Sequence, residues 1–275
     1  SPPIPPLPTQ PLGEDVDIFG GDGDDTFQIV VEPGAPAPQL MVDGGNGNDA
    51  LQISGVASGA VHLGAGNDVV VIAFLPSAGP SIRGDFPDSH CDEGDDTIEI
   101  TGGRNLTLAR QGVIDGGDGN DVVNAGRFEI ETASFGLAIT GGSGGDTLIG
   151  SNGKDNLHGG LGADLMTGGN GADIFDYDAP AEGGDVITDF TPGSDLFHIS
   201  SIGFGGGLAP GALPADRFVS GADPVAVVSG VGVFLYDTDN GALAWDDDGA
   251  GGNLAVGIAV LTSLPALTAS DFLVL

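Results

Sequence analysis

Residues 141–176 read GGSGGDTLIGSNGKDNLHGGLGADLMTGGNGADIFD, and one pattern returns in them every nine residues. The units begin at Gly141, Gly150, Gly159 and Gly168, and each has an aspartate at its sixth position and an apolar residue at its eighth. A repeat this regular predicts stacked copies of one small structural unit, each burying its apolar residue against its neighbours.

The same unit recurs earlier in the chain at wider spacing. Complete copies begin at Gly20, Gly44 and Gly116, and two weaker copies begin at Leu63 and Cys91. Their starts lie 19 to 28 residues apart, which is the length of one wide coil of a parallel β-solenoid. We therefore expect wide coils before residue 141 and coils of two units, eighteen residues, from there on.

Each unit divides into a six-residue turn and a three-residue strand. Glycine supplies backbone angles that a Cβ forbids and lets carbonyl oxygens approach at close range. The sixth-position aspartate adds a carboxylate to those carbonyls. An oxygen-only, anionic and flexible donor set is typical of a calcium site, whereas a metal that prefers nitrogen or sulfur would need histidine or cysteine.

The eighth residue of each unit is predicted to face the interior, because side chains alternate along a strand. These residues are Phe27, Leu51, Val70, Ile98, Val123, Leu148, Leu157, Met166 and Phe175, and none of them is polar. The predicted fold is all-β. It is a right-handed parallel β-roll or β-solenoid with wide coils in the N-terminal half, 18-residue coils at 141–176 and a small β-rich C-terminal cap.

The charge of the chain supports cation binding. Among its 275 residues, 40 are acidic and 6 are basic, for a formal net charge of -34. A fold packed around this repulsion needs cations, and nucleic acid and anionic membranes are poor partners for it. The single cysteine, Cys91, excludes an internal disulfide, and with four histidines it also argues against a Cys/His zinc cluster.

The unit G-G-x-G-x-D-x-U-x is the pattern of the RTX calcium-binding nonapeptide, and the chain strongly resembles the RTX family of secreted bacterial proteins. In that family each calcium ion takes two carbonyl oxygens and the sixth-position aspartate from one turn, and the same set from the turn stacked on it. The resemblance implies several Ca²⁺ ions as the cofactor. Ser151 replaces a glycine, but its contribution is a backbone oxygen.

The residues implied as ligands follow from the motif positions. On one side of the roll they are Gly142, Gly144 and Asp146, facing Gly159, Leu161 and Asp164. On the other side they are Ser151, Gly153 and Asp155, facing Gly168, Asn170 and Asp173. The wide coils contribute Asp25, Asp49, Asp68, Asp96 and Asp121, and two degenerate turns contribute Asp185 and Asp195 as capping ligands. The turn at Cys91 lacks two glycines, so it is expected to bind weakly or not at all.

The C-terminal part resembles the module that ends many RTX proteins, in the segments YDTDNGALAWDDDG at 236–249 and LTASDF at 267–272. In the family a type I secretion channel reads this end without cleaving it, which would explain why no N-terminal leader is recognisable. No run of eighteen apolar residues is present, so membrane insertion is not expected. The acidic run at 237–248 does not have the EF-hand spacing.

These observations predict four segments. They are a proline-rich linker or arm at 1–13, a wide-coil solenoid at 14–140, an RTX β-roll at 141–199, and a capping and secretion module at 200–275. Ser143 lies in a G-x-S-x-G pattern, but it occupies a variable position of a turn, without the strand-to-helix context of a nucleophile. No catalytic residue is predicted, and the chain itself is expected not to be an enzyme.

The predicted function is that of a secreted, extracellular or cell-surface protein that folds on binding calcium. It would serve as a structural or adhesive component of a cell surface or matrix and would be capable of self-assembly. The alternative is the C-terminal export and folding module of a larger extracellular hydrolase, epimerase or toxin. The expected partners are calcium, the type I secretion apparatus, and either further copies of the chain or a cell-surface polysaccharide.

Overall fold

The computed structural model describes residues 16–31, 39–55, 58–74, 82–84, 88–108, 111–130 and 135–275. These residues fold mainly as β-strands joined by turns and loops. The proline-rich segment predicted at 1–13 lies outside the described residues. Among the described helices, none is long and apolar enough to cross a membrane.

The strands are numbered along the chain. Those up to residue 130 are β1 (Val16–Asp22), β2 (Thr26–Val30), β3 (Gln39–Asn46), β4 (Ala50–Ser54), β5 (Ser58–His62), β6 (Val69–Phe74), β7 (Ile82–Gly84), β8 (Asp88–His90), β9 (Thr97–Leu108), β10 (Gly112–Asp118) and β11 (Val122–Ile130). Those that follow are β12 (Phe135–Ser143), β13 (Thr147–Ile149), β14 (Lys154–Leu161), β15 (Leu165–Thr167), β16 (Ile174–Tyr177), β17 (Asp185–Ile187), β18 (Leu196–Ile199), β19 (Gly211–Ala212), β20 (Phe218–Gly221), β21 (Val233–Asp237), β22 (Ala242–Asp246), β23 (Val256–Leu261) and β24 (Phe272–Val274). The helical segments are α1 (Ser201–Phe204) and the 3₁₀ turns Pro180–Glu182, Ala215–Arg217 and Ala269–Asp271.

The strands form two long sheets. The first has the order β1-β3-β5-β8-β10-β12-β14-β16-β18-β24-β19, and the second has the order β2-β4-β6-β9-β11-β13-β15-β17-β23-β22-β21-β20, with β7 beside β9. The chain passes from one sheet to the other in every coil, and the strands of successive coils pair in parallel up to β18. The predicted parallel β-roll is therefore confirmed.

Strand register explains how units at unequal spacing stack on one another. Leu40 pairs with Gly59, Val69 pairs with Thr97, and Leu148 pairs with Met166. The coil is therefore 19, 28 or 18 residues long at these points while the turns stay aligned. The extra length falls between the second-sheet strand of one coil and the first-sheet strand of the next, away from the glycine-rich turn.

One hydrophobic core lies between the sheets. All nine eighth-position residues named above are buried, as predicted, and each apolar side chain of this size stabilises the fold by roughly 1.5 to 3 kcal/mol. Towards the C-terminus the core becomes aromatic. Phe197 stacks on Phe190 with ring centroids 4.7 Å apart and on Phe272 at 5.0 Å, so large rings fill the last coils.

The C-terminal residues continue both sheets. Strand β23 pairs in parallel with β17, and β24 pairs in parallel with β18, while β21 and β22 add antiparallel strands. Trp245 is buried there against Phe204 and Phe234, with ring centroids 5.6 and 4.6 Å away. Both sheets run across residues 140 and 199 without interruption, and the segment boundaries expected there stay a prediction.

Candidate metal centre

The sixth-position aspartates form a hydrogen-bonded row along one edge of the roll. The backbone N–H of each aspartate donates to the Oδ1 atom of the aspartate in the next coil, over 2.6 to 3.0 Å. We call this row the long ladder, and its members are Asp25, Asp49, Asp68, Asp96, Asp121, Asp146, Asp164 and Asp185.

A second row, the short ladder, lies on the opposite edge, where the chain returns from the second sheet to the first. Leu137 N–H donates to Asp155 Oδ1 over 2.6 Å, and Asp155 N–H donates to Asp173 Oδ1 over 3.0 Å. Asp173 N–H donates in turn to Asp195 Oδ1 over 3.0 Å. The narrow coils therefore carry aspartates on both edges, because their two units each supply a turn.

The second oxygen of most ladder carboxylates is buried and unpaired. Among the described residues, no hydrogen-bond donor reaches Oδ2 of Asp49, Asp68, Asp96, Asp121, Asp146, Asp164 and Asp173. These seven side chains are no more than 2% exposed. A buried carboxylate oxygen without a partner is strongly unfavourable. The row therefore requires either protons or cations between its coils.

Backbone carbonyls converge on the same space. A Cβ built on Gly116, the first residue of its unit, would lie 2.6 Å from Asp121 Oδ2 and 2.6 Å from the carbonyl oxygen of Gly141 in the next coil. At Gly141 the equivalent neighbours are Asp146 Oδ2 and the carbonyl of Gly159. Calcium takes oxygen ligands at about 2.3 to 2.6 Å. Glycine thus keeps open a small space lined by anionic and carbonyl oxygens, and these donors fit a calcium ion.

Glycines at the second and fourth positions are required by the backbone itself. Gly142 and Gly144 have φ angles of 120° and 139°, a region that side chains strongly disfavour. A Cβ on Gly144 would also collide with the carbonyl of Gly119 in the preceding coil.

The predicted ligands Gly142 and Leu161 lie in adjacent coils. The Leu161 carbonyl accepts a 2.7 Å hydrogen bond from Gly144 N–H, so one lone pair of this oxygen remains for an ion.

The turn at 150–155 differs from the others. Ser151 does not have a positive φ, and its N–H and Oγ donate to Asp155 Oδ2 over 2.7 and 3.0 Å. Asp155 Oδ2 is therefore satisfied by the protein. The predicted partners still stack, because a Cβ on Gly169 would meet the Ser151 carbonyl and one on Gly171 would meet that of Gly153. Of the predicted ligands in the next coil, Gly168 has its carbonyl oxygen directly beside Gly150. Asn170, another predicted ligand, is exposed.

Two coils have a side chain where the others have glycine. Leu63 and Cys91 occupy the first position of their units, and both are buried in the core. The Cys91 thiol and one carboxylate oxygen each of Asp68 and Asp96 lie within 4.8 Å of one another. These side chains fill part of the space that glycine leaves open elsewhere, so we expect the weakest ion binding at these two coils.

The C-terminal ends of both ladders are satisfied by protein donors. Tyr177 Oη donates to Asp185 Oδ2 over 2.7 Å, and Thr191 N–H donates to Asp195 Oδ2 over 2.8 Å. Nothing in the nine-residue pattern marks Tyr177 or Thr191 for this role. Asp185 and Asp195, predicted as capping ligands, therefore lie at the ladder ends with both carboxylate oxygens already accepting hydrogen bonds from the protein.

Burial raises the pKa values of Asp146 and Asp96 in the long ladder, and neighbouring carboxylates raise them further. The pKa of Asp146 rises to about 6, and that of Asp96 rises to about 7. Hydrogen bonds from the backbone of the preceding coil oppose the shift only in part. Within the described residues, no lysine or arginine pairs with a ladder aspartate, since the ion pairs found there use His62 and His158.

Comparison with known families agrees with this geometry. The model of the RTX calcium-binding nonapeptide repeat matches four copies in the chain, at residues 113–128 and 140–175. These repeats are structural calcium-binding motifs, and they imply that the chain binds Ca²⁺. The turns that begin at Gly20, Gly44, Leu63 and Cys91 lie outside the matched residues, although the structure aligns them with the matched turns. No curated protein matches the chain.

Substitution of Gly141 by alanine should remove one calcium ion. The backbone of Gly141 does not have a positive φ, so the added methyl group acts by filling the space between Asp146 Oδ2 and the Gly159 carbonyl of the next coil. We expect one ion fewer per chain by titration calorimetry and a free energy of unfolding lower by about 1 to 3 kcal/mol in saturating calcium. Gly145→Ala is the matched control, because its Cβ would meet only atoms at 3.4 Å. Equal ion counts in the two variants would contradict this assignment.

The calcium-free chain should lose structure as pH rises. The pKa values of Asp68 and Asp96 in the folded chain, about 6 and about 7, exceed the ordinary value of 3.8, so the folded state binds more protons than the unfolded state. Their contribution to stability is complete below about pH 4 and is lost as pH rises through the folded values. With chelator present, the β-sheet circular dichroism signal should decline around pH 6 to 7. With saturating calcium it should persist, and a chelated sample with no dependence on pH would argue against the buried carboxylates.

Proposed function

The chain carries RTX calcium-binding nonapeptide repeats, and from this premise we propose that it is a secreted protein that folds on binding extracellular Ca²⁺. Its role is that of a structural or adhesive component of a cell surface or matrix. The observation that carries the proposal is the long ladder, in which successive coils place unpaired carboxylate oxygens within the fold. The calcium ion, when bound, supplies the positive charge that these oxygens lack.

Without cations the chain is expected to be expanded. The ladder aspartates repel one another, and the glycine-rich turns lose much conformational entropy on folding. An expanded chain suits passage through a type I secretion channel. Extracellular calcium-binding modules have dissociation constants of about 10⁻⁴ to 10⁻³ M, so ions at that concentration would fold the chain only after export. Folding outside the cell then prevents its return.

A structural role is supported by the continuity of the two sheets and of the core through the described residues. Both sheets continue from β1 to the C-terminal cap, and a single core runs between them. The buried acidic residues of the ladders all serve the stacking of one coil on the next. These features support the proposal that the solenoid itself performs the function of the protein.

Self-assembly is supported by the N-terminal end of the stack. Within the part of the chain that the structure describes, β1 pairs only with β3 and β2 pairs only with β4, so each has one open edge. Open strand edges are templates for pairing with another chain. Phe19 of β1 is 67% exposed beside this edge. We infer that copies of the chain meet at this end.

A second candidate function rests on the same open edge. An upstream domain of a larger extracellular hydrolase, epimerase or toxin would cover β1 and β2, and the chain would then be its export and folding module. The length of the native polypeptide separates the two candidates. A structural protein consists mainly of the roll, whereas an enzyme or toxin adds a domain before it.

Calcium-coupled folding can be followed at the only cysteine of the chain. Cys91 is 4% exposed, and burial, together with nearby carboxylates, raises the pKa of its thiol. With calcium we expect a β-sheet circular dichroism spectrum and a thiol that reacts with an alkylating reagent about 100-fold more slowly than in chelator. Magnesium should produce neither change. Equal thiol reactivity in calcium and in chelator would refute the proposal.

Assembly through the N-terminal edge should depend on Phe19. Light scattering should report multimers in calcium for the natural chain, and Phe19→Asp should shift them towards monomers by placing a charge beside the open edge. Met41→Asp is the matched control, because Met41 is also exposed, at 52%, but β3 is paired on both sides. Monomers at every calcium concentration would rule out assembly, and equal effects of the two variants would rule out this edge.

A further inference from the structure

A group of three carboxylates lies outside both ladders, in the C-terminal cap. Asp246 ends β22, directly after Trp245, and Asp247 and Asp248 follow it. One carboxylate oxygen of each lies within 4.8 Å of the others. We call these residues the cap triad. They lie beyond the residues matched by the repeat model and occupy no sixth position of a repeat.

Two oxygens of the cap triad are buried without a hydrogen-bond partner, as are the Oδ2 atoms of most ladder aspartates. Asp246 is only 7% exposed, and its Oδ1 atom has no hydrogen-bond partner among the described residues. The Oδ1 atom of Asp248 is also buried and unpaired within that part of the chain. Two neighbouring carboxylates in this state repel each other and lack the water that would otherwise stabilise them. The arrangement requires either a cation between them or a proton on one of them.

The surrounding loop donates hydrogen bonds to other oxygens of Asp247 and Asp248 and to neither of these two. Asp248 Oδ2 accepts a 2.9 Å hydrogen bond from Gly252 N–H, and Asp247 Oδ1 accepts one of 2.9 Å from Asn253 Nδ2. Backbone N–H groups of Asp248 and Gly249 also face the Asp246 carboxylate. Because the loop already fixes these carboxylates, a cation meets donors that are in place before it binds.

We propose that the cap triad binds a further divalent cation of the calcium class, separate from the ions of the ladders. Its donors are carboxylate oxygens only, which favour calcium over metals that select nitrogen or sulfur. Within the described residues no lysine or arginine forms an ion pair with the triad. The net charge of -34 on the chain adds to the attraction for a cation.

This cation would fasten the end of the roll. Strand β22 pairs with β21 and β23, and β23 continues the second sheet from β17. A cation bound at Asp246 therefore links the end of β22 to the loop at 247–253, which leads into β23. The inference goes beyond the proposed function, since it concerns closure of the cap and not the stacking of repeats.

Trp245 supplies a local probe for this site. It is the only tryptophan in the chain and is adjacent to Asp246. Terbium(III) replaces calcium at oxygen sites and emits when a nearby indole transfers energy to it. Excitation of tryptophan in the full chain, folded in calcium, should give terbium emission that falls at least about fivefold in Asp246→Asn, because the variant loses a charged ligand. Excess calcium should abolish the emission.

The matched control is Asp239→Asn, which removes an exposed acid from the turn between β21 and β22. It should retain the emission of the natural chain. Titration calorimetry should count one calcium ion fewer in Asp246→Asn than in Asp239→Asn. Asp248→Asn provides a second ligand variant with the same expected losses, should Asp246→Asn fail to fold.

The rival arrangement is a proton shared by Asp246 and Asp248, since burial and the adjacent Asp248 raise the pKa of Asp246. In that case terbium emission sensitised by tryptophan would be absent, or equal in Asp246→Asn, Asp248→Asn and the control, and calcium counts would not change. Either result overturns the proposal. Circular dichroism of the same samples during calcium titration reports folding of the ladders. If circular dichroism shows normal folding with calcium but the triad gives no terbium emission, the inference about the triad is refuted and the proposed function is not.

Discussion

The hydrogen bond from each sixth-position aspartate N–H to the carboxylate of the next coil is the interaction on which the structure depends. It aligns the turns of coils that differ in length, from 18 to 28 residues. It uses Oδ1 of each carboxylate and leaves Oδ2 buried and unpaired in most coils. The contact that sets the register therefore also creates a requirement for protons or cations. Above the pKa values of the ladder aspartates, stacking is expected to depend on cations.

Glycine and the apolar residues make this contact possible. Gly144 adopts a backbone conformation that places one turn directly on another, and Gly141 leaves room beside the carboxylate. Leu148 and Met166 pair across adjacent coils and fill the interior behind the turn. Where the first glycine is replaced, at Leu63 and Cys91, the side chain is buried in the core, and we expect the weakest ion binding there.

Several features of the site carry no signal in the nine-residue pattern. Tyr177 satisfies Asp185 from a different turn, and Ser151 satisfies Asp155 although its position normally needs only a backbone oxygen. Asp24 and Asn48, at the fifth position, begin a second and exposed row in which a side-chain oxygen accepts from the next N–H over 2.8 to 3.3 Å. The recurrence of aspartate and asparagine at the fifth position is visible in the sequence, although the nine-residue motif leaves that position unspecified.

The sequence by itself determined the parallel roll, the inward-facing residues and the aspartates that define the turns. This was possible because a short repeat imposes the same local geometry and the same buried face on every copy. Only the tertiary structure decided which carboxylate oxygens lack a partner, how coils of unequal length stay in register, and that Asp246 and Asp248 meet in the cap. These properties depend on which donors other coils and loops bring within about 3 Å, and no local pattern encodes such distances.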